Sequence, residues 1–444
     1  MLNEALADTI ENFRAGSFEK FSESLDPEWI QRALVATGKA TVRRRRLPAE
    51  QIVWLVLGMA LLRDRSISSV ASHLRLAIAE PDGSSIVAPS ALSQARARLG
   101  EEPMAWLFRE TAARWGHASA DRERWCGLAV YGVDGTKLFA ADTPSNCEEF
   151  GKHKGTHPSA FPLVRVVALL ALRSRMIVNA TVGSWTKLTE VEMAQSLWKD
   201  LPDRSLAILD RGFFTAPILT SLAAAGRERH WLTRAKHSHQ WTVIEHLADD
   251  DAIVEVMTDS RTRKSYPDVP MRWRMRAVTV RRPGHEPQVL LTSMLDSEAY
   301  PAAQLSALYH ERWELELMFD DLKTEQLQSA QVLRSQTAGG VRQELWGVLL
   351  AHNLVRLEIE RIATRAKVSP LRISFIAALR MICDEWSWAT DERSSPGTLP
   401  KTLASLERAL LRFVLPPRRS ERAYPRAVKI AKGPYPSKSS VTAK

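Results

Sequence analysis

"GLAVYGVDGTKLFAAD" (Gly127–Asp142) marks the point where the chain changes period. Its apolar residues stand in two short runs around an Asp-Gly-Thr-Lys break, and it reads as two β-strands separated by turn residues. "LVRVVALLAL" (163–172) and "RMIVNATVG" (175–183) continue the pattern, so four strands in a row are expected. A helix from about Glu190 to Lys199 follows, and then "SLAILDRGFF" (205–214) reads as a buried strand ending in Asp210. Beyond a helix at about 216–225 come "RHWLTRAK", "QWTVIEHL", "AIVEVMT", "RWRMRAVTV" and "QVLLTSM", all strand-like, and helices dominate from 302 to about 388.

Upstream, residues 1 to about 120 read as helical. Pro48 sits where "AEQIVWLVLGMALLRD" begins a buried helix. "SISSVASHLRLA" starts with Ser, and "PSALSQARARLG" has Ser90 as an N-cap and Gly100 as a stop. Three short helices, the last showing Gln94, Arg96 and Arg98, suit a helix-turn-helix-like module or a plain packing domain. Arg43, Arg44, Arg45 and Arg46 precede them as a phosphate grip.

The 444 residues carry a formal net charge of +10, which favours a polyanionic partner, nucleic acid before membrane. Cys126, Cys147 and Cys383 are odd in number and far apart, giving neither a disulfide framework nor a CxxC site, as in a cytosolic protein. His153 and His157 lie in the loop-like "GKHKGTHP", which suits loop or phosphate contacts rather than a helical metal clamp. No apolar run reaches membrane-spanning length, and "MLNEALADTIENF" has no signal-peptide pattern. Beyond 415 the chain turns to Pro, Lys, Arg and Ser, a basic extended tail.

Two carboxylates, Asp134 and Asp210, each close an apolar run at a predicted strand end, where α/β proteins place their chemistry. A third lies on "YHERWELELMFDDLK" (Tyr309–Lys323), which reads as an unbroken helix without Gly or Pro. At helical spacing Tyr309, Arg312, Glu316 and Lys323 share an arc of about 60°, beside the apolar stripe of Leu308, Leu315, Phe319 and Leu322. Asp134, Asp210 and Glu316 form a hard-oxygen set for divalent metal, as phosphodiester chemistry requires, with two cations about 3.5–4 Å apart. Tyr309, Arg312 and Lys323 supply phosphate donors. The bland reading of the same stripe is a solvated face with Arg312–Glu316 pairing.

The spacing Tyr309-x2-Arg312-x3-Glu316-x6-Lys323 resembles the Y-R-E-K signature of DDE transposases of bacterial insertion sequences, in the insertion-sequence-4 group. "DGTKLFAADTPSNCEEFG" is similar to the segment around that family's first catalytic Asp and "LAILDRGFF" to the second. "FSESLDPEWIQRAL", "RRRRLPAEQIVWLVLGMALLRDRSI" and "RQELWGVLLAHNLVR" extend the resemblance over most of 18–360. It implies an RNase H-like α/β catalytic domain with an all-helical N-terminal DNA-binding domain (1–120). The catalytic domain would comprise 121–226 and 301–390, interrupted by a β-rich insertion at 227–300 and followed by a basic segment at 391–444. It implies Asp134, Asp210 and Glu316 as catalytic ligands of two Mg²⁺ ions, with Mn²⁺ as substitute. The partners implied are double-stranded DNA (terminal inverted repeats and target) and a second copy in a synaptic homodimer, in the bacterial cytoplasm at the nucleoid.

It also implies hydrolysis at the element's ends and attack by the freed 3′-OH. A fragment of residues 1–120 is expected to bind the terminal repeat. Some relatives cut the second strand through a DNA hairpin and stack a flipped base on a Trp just before an "LLTS"-like segment; Gln288 stands there, leaving Trp273 or Trp241 as substitutes, a less stabilised hairpin, or another second-strand route. The competing classes are an RNase H-like nuclease or resolvase without strand transfer, a non-enzymatic DNA-binding regulator, and, remotely, a glycosidase.

Overall fold

The computed structural model describes residues 25–40, 47–74, 76, 87–153, 159–236, 239–281, 286–328, 332–388, 411 and 413–416. Arg43–Arg46, His157 and the basic tail lie outside them. The helical region opens with α1 (Pro27–Ala36), where the Asp26 side chain accepts the Glu28 amide at 2.8 Å. In α2 (Ala49–Leu61) every residue from Ile52 to Leu61 is buried, so the helix is packed on all sides rather than along a stripe. Ser66 caps α3 (Ile67–His73). In α4 (Pro89–Leu99) Pro89 takes the first helical position and Ala88 the cap, so Ser90 is inside the helix, not its N-cap. Gly100, at φ 75°, ends it as expected, and α5 (Glu102–Arg122) follows.

The Gly127–Asp142 stretch corrects the turn expected at its centre: β1 (Ala129–Ala140) is one twelve-residue strand. Asp134, Gly135, Thr136 and Lys137 pair antiparallel with Ala168, Val167, Val166 and Arg165 of β2 (Leu163–Ala171), after α6 (Pro144–Phe150). The ladder outweighs the local turn preference. Then come β3 (Met176–Ser184) and α7 (Glu190–Gln195), which is shorter than expected, closing in a 3₁₀ turn at Trp198–Asp200. β4 (Ser205–Leu209) runs parallel to β1, with Val133 opposite Leu209 as its last pair.

After α8 (Ala216–Ala224), β5 (Arg229–Arg234) runs parallel to β4. β6 (Thr242–Ala248), β7 (Asp251–Met257), α9 (Ser260–Ser265), β8 (Arg272–Val280) and β9 (Gln288–Thr292) complete the strand-rich stretch. These strands join the same sheet, in the order β3-β2-β1-β4-β5-β9-β8-β7-β6, with β10 (Val332–Leu333) parallel on β1. The 227–300 stretch is therefore continuous with the sheet of β1–β4, through Leu232 of β5 opposite Thr292 of β9.

Strand alternation separates two cores. Val130, Leu138, Val164 and Val166 pack with the helical region, while Tyr131, Val133, Val167 and Leu169 pack with α8 and Trp198. The last helices are α10 (Ala302–His310), α11 (Trp313–Asp320), α12 (Ala338–Ala366) and α13 (Phe375–Trp388). α2, α5 and α13 pack on α12.

Candidate active site

The stretch read as one helix from Tyr309 to Lys323 is three pieces. Between α10 and α11 the amides of Glu311 and Arg312 bond back to Leu308 and Tyr309, three residues away instead of four. Arg173 holds Glu311 at this break through two hydrogen bonds of 3.0 and 2.9 Å. After Asp320 the chain enters a π-helical turn, Asp321–Gln326. Its anchor is charge: Asp321 pairs with Arg356 of α12 and with Arg175 at 3.0 Å, and Arg175 also holds the buried Glu314 at 2.7 Å. Glu314 and Asp321, indistinguishable by type from surface carboxylates, thus tie the helix to the β2–β3 turn. Buried charge of this kind has no one-dimensional signal.

This anchoring sets α11 against β1. A Cβ on Gly132 would stand 2.9 Å from Leu315 Cδ1, so a larger residue there would have to push the leucine aside. Two residues on, Asp134 lies within β1, and Asp210 follows β4 directly, on the neighbouring parallel strand. The Asp134 Oδ1 accepts the Gly135 amide at 2.8 Å. Its carboxyl is nevertheless pushed up to about 6, by burial first and then by Glu190 and Asp210, against the pull of Arg312.

Arg312 donates to Glu316 at 2.7 Å, the pairing that the bland reading foresaw. Yet the stripe does not face open solvent. Burial lowers the Arg312 pKa but is outweighed by Glu316, Tyr309 and Asp210, which raise it. The Tyr309 hydroxyl is raised by burial and by Asp210, against Arg312. Lys323 is lowered by burial and by Lys137, against Asp134 and Asp320. Asp134, Asp210, Tyr309, Arg312, Glu316 and Lys323 therefore share one electrostatic neighbourhood. Among the described residues no three His, Cys, Asp or Glu are arranged to hold a metal ion, and Glu316 is engaged by Arg312. The donor chemistry still suits a hard cation: oxygen ligands only, with Asp134 destabilised by its carboxylate neighbours.

Glu190 was not singled out in the sequence. In "TEVE" it reads only as part of a helix start, and Thr189 and Glu192 do form a capping box. Only the fold places it against Gly135, where a Cβ would meet its Oε1 at 2.5 Å. On α4, Gln94 and Arg98 are exposed. Arg96 is half-buried, its Nε donating to Gln343 at 3.0 Å and its Nη2 to Ser335 at 3.2 Å. Trp273 stacks on Phe214 at 5.7 Å and lies 6.0 Å from Trp231, and its Nε1 has no hydrogen-bond partner among the described residues. Gln288 is half-buried on β9, and Trp241 is partly buried against the same core as Trp273.

Acidic residues on adjacent parallel strands of a mixed sheet, with Arg312 and Lys323 brought beside them, place the chain in the RNase H-like class. The family "Insertion element 4 transposase N-terminal" matches residues 15–109, and "Transposase DDE domain" matches 125–354. The chain belongs to the insertion element 4 family of DDE transposases. It is 36% identical over 416 residues to transposase InsG for insertion sequence element IS4 of Escherichia coli K12, covering 93% of this chain and 92% of that one. InsZ of the same strain is 34% identical over 221 residues, 49% of this chain and 72% of its own. A solved piggyBac transposase synaptic complex with hairpin DNA aligns at TM-score 0.44 and 12% identity, over 91% of this chain and 87% of that one, a likeness too low to argue from.

Proposed function

We propose that this transposase binds the terminal inverted repeats of its own insertion sequence, cleaves them by divalent-metal-dependent hydrolysis, and joins the freed 3′-OH ends to target DNA. The observation that carries the reading is the placement of Asp134 and Asp210 on neighbouring parallel strands, both within the field of Arg312. Asp134, Asp210 and Glu316 would hold the metal, Mg²⁺ with Mn²⁺ as substitute and two ions per site. Divalent cations bound there supply activation of the attacking oxygen and neutralisation of the leaving one.

The protein's own residues bind and orient. Arg312 presents a planar fork to a phosphate, Tyr309 a hydroxyl, and Lys323 a compact charge beside Asp134. Glu316 is released to a ligand role when a phosphate takes its place on Arg312. Helices within 1–120, with Gln94 and Arg98 exposed and Arg43–Arg46 preceding, bind the repeat, and two copies act together in the synaptic complex in the bacterial cytoplasm. The test is cleavage and joining of labelled end duplexes in Mg²⁺ by wild type and Asp210→Ala. Cleavage without any joined product by the wild type favours a nuclease, and normal cleavage by the variant overturns the assignment.

A further inference from the structure

A basic and aromatic strip leads away from the candidate active site, and the chemistry above leaves it unused. Lys137 is exposed three residues beyond Asp134 on β1, close enough to Lys323 to lower its pKa. Across the sheet Lys137 pairs with Arg165 of β2. Both cations approach the ring of Trp185, just past β3: the Arg165 Cζ lies 4.0 Å from the ring centroid and the Lys137 Nζ 5.9 Å. The Arg165 Nε is buried without a hydrogen-bond partner among the described residues. Trp185 in turn lines a cleft of about 730 Å³ with Cys147, Gly151, Lys152, His153 and Thr186.

Three features point to a phosphodiester backbone. A guanidinium stacked on an indole keeps its plane fixed while its N–H groups remain to be satisfied, which suits planar recognition of phosphate oxygens. Lys137 sets a second cation on the same ring, as a ligand with successive negative charges would use. Along β1 Lys137 stands three residues, about 10 Å, from Asp134, the axial rise of about three nucleotides, and alternation turns it to the strand's opposite face. Glu190, beside both Asp134 and Arg165, marks where the acidic site gives way to the strip.

We propose that Lys137 and Arg165 hold the DNA strand a few nucleotides from the scissile phosphate, with Trp185 as the positioning residue that fixes the Arg165 fork. The proposal rests on the end-binding reading above and names where the DNA beyond the cut runs. It is tested by gel shift of the full-length protein without divalent metal. One duplex carries the terminal repeat and stops at the cleavage point; a second continues ten base pairs past it.

The wild type should bind the extended duplex at least ten-fold more tightly, with a steeper salt dependence. Arg165→Gln with Lys137→Gln should remove that gain and reduce the salt slope by about two, near one for each phosphate no longer neutralised. Arg165→Lys, which keeps the charge but not the fork, should lose more than half of the gain. Affinity for the short duplex reports folding, and the exposed Lys137→Glu change serves as the variant that leaves the core untouched. Equal binding of the two duplexes by the wild type, or a gain that survives in the double variant and in Lys137→Glu, overturns the strip. Failure of the wild type to prefer either duplex over scrambled DNA would instead overturn the end-binding reading.

Discussion

At the residue scale the acidic site is a problem of uncompensated charge. Asp134 lies at about 6 because burial and two neighbouring carboxylates oppose its ionisation, and Arg312 relieves only part of this. Replacing Asp134, Asp210 or Glu316 with Ala should reduce end cleavage by more than about 100-fold, since loss of supporting residues alone costs a metal site 10–100-fold, while gel-shift binding of the ends stays near wild type. Arg312→Lys should also fail, because a point charge does not reproduce the fork, and a misplacement of about 1 Å can cost on the order of 100-fold. Single-turnover cleavage and joining rates check both; full activity in Arg312→Lys would leave Arg312 as a helix-surface partner of Glu316 and nothing more.

At the element scale the Tyr309–Lys323 stretch depends on buried ion pairs. Arg175 sits in the left-handed region at φ 57° and reaches Glu314 and Asp321 from the β2–β3 turn. Arg175→Met should destabilise the protein by about 3–5 kcal/mol, because the buried carboxylates lose a cation while their desolvation remains. The same change should lower cleavage more than binding, since α11 loses its seat on β1. Urea midpoints and cleavage rates on one preparation separate the two effects. A change below about 1 kcal/mol would show that Arg356 alone suffices for Asp321.

At the scale of the whole molecule the N-terminal helices are not an appendage. α2 lies against α12, where a Cβ on Gly347 would meet Val56 Cγ1 at 2.7 Å, and buried Arg63 pairs with buried Glu344. Their apolar residues belong to the same core as α12 and one face of the sheet. A fragment of residues 1–120 should therefore lack native packing, with poor amide dispersion in NMR spectra, and repeat binding should require the full chain. Dispersed spectra and specific binding by the fragment would contradict this.

His352, fully buried on α12 with its Nε2 donating to the Arg175 carbonyl at 3.2 Å, is held down to about 3 by burial and by Arg356. The folded state thus keeps it neutral while the unfolded chain takes up a proton near its ordinary value of about 6.5. Stability is present above about 6.5 and is lost as pH falls toward 3. Between pH 7 and 5 the loss should be about 2 kcal/mol, absent in His352→Gln, by denaturant midpoints at the two values.

Periodicity and residue type determined much of this protein. The helical first quarter, the shift to strands at 127, the acids placed at β1 and β4, and the Tyr309–Arg312–Glu316–Lys323 stripe all follow from local spacing, because side-chain period is a property of neighbouring residues. Tertiary structure decided what local spacing does not carry. β1 runs through Asp134 and Gly135 because β2 pairs along its whole length, and Arg96 is half-buried because Gln343, 247 residues away, receives it. Glu190 reaches Asp134 across Gly135, and Tyr309–Lys323 breaks into three pieces because Arg173, Arg175 and Arg356 pull on its carboxylates. Each outcome depends on partners brought together only by chain closure, where buried charge and hydrogen-bond satisfaction outweigh local propensity.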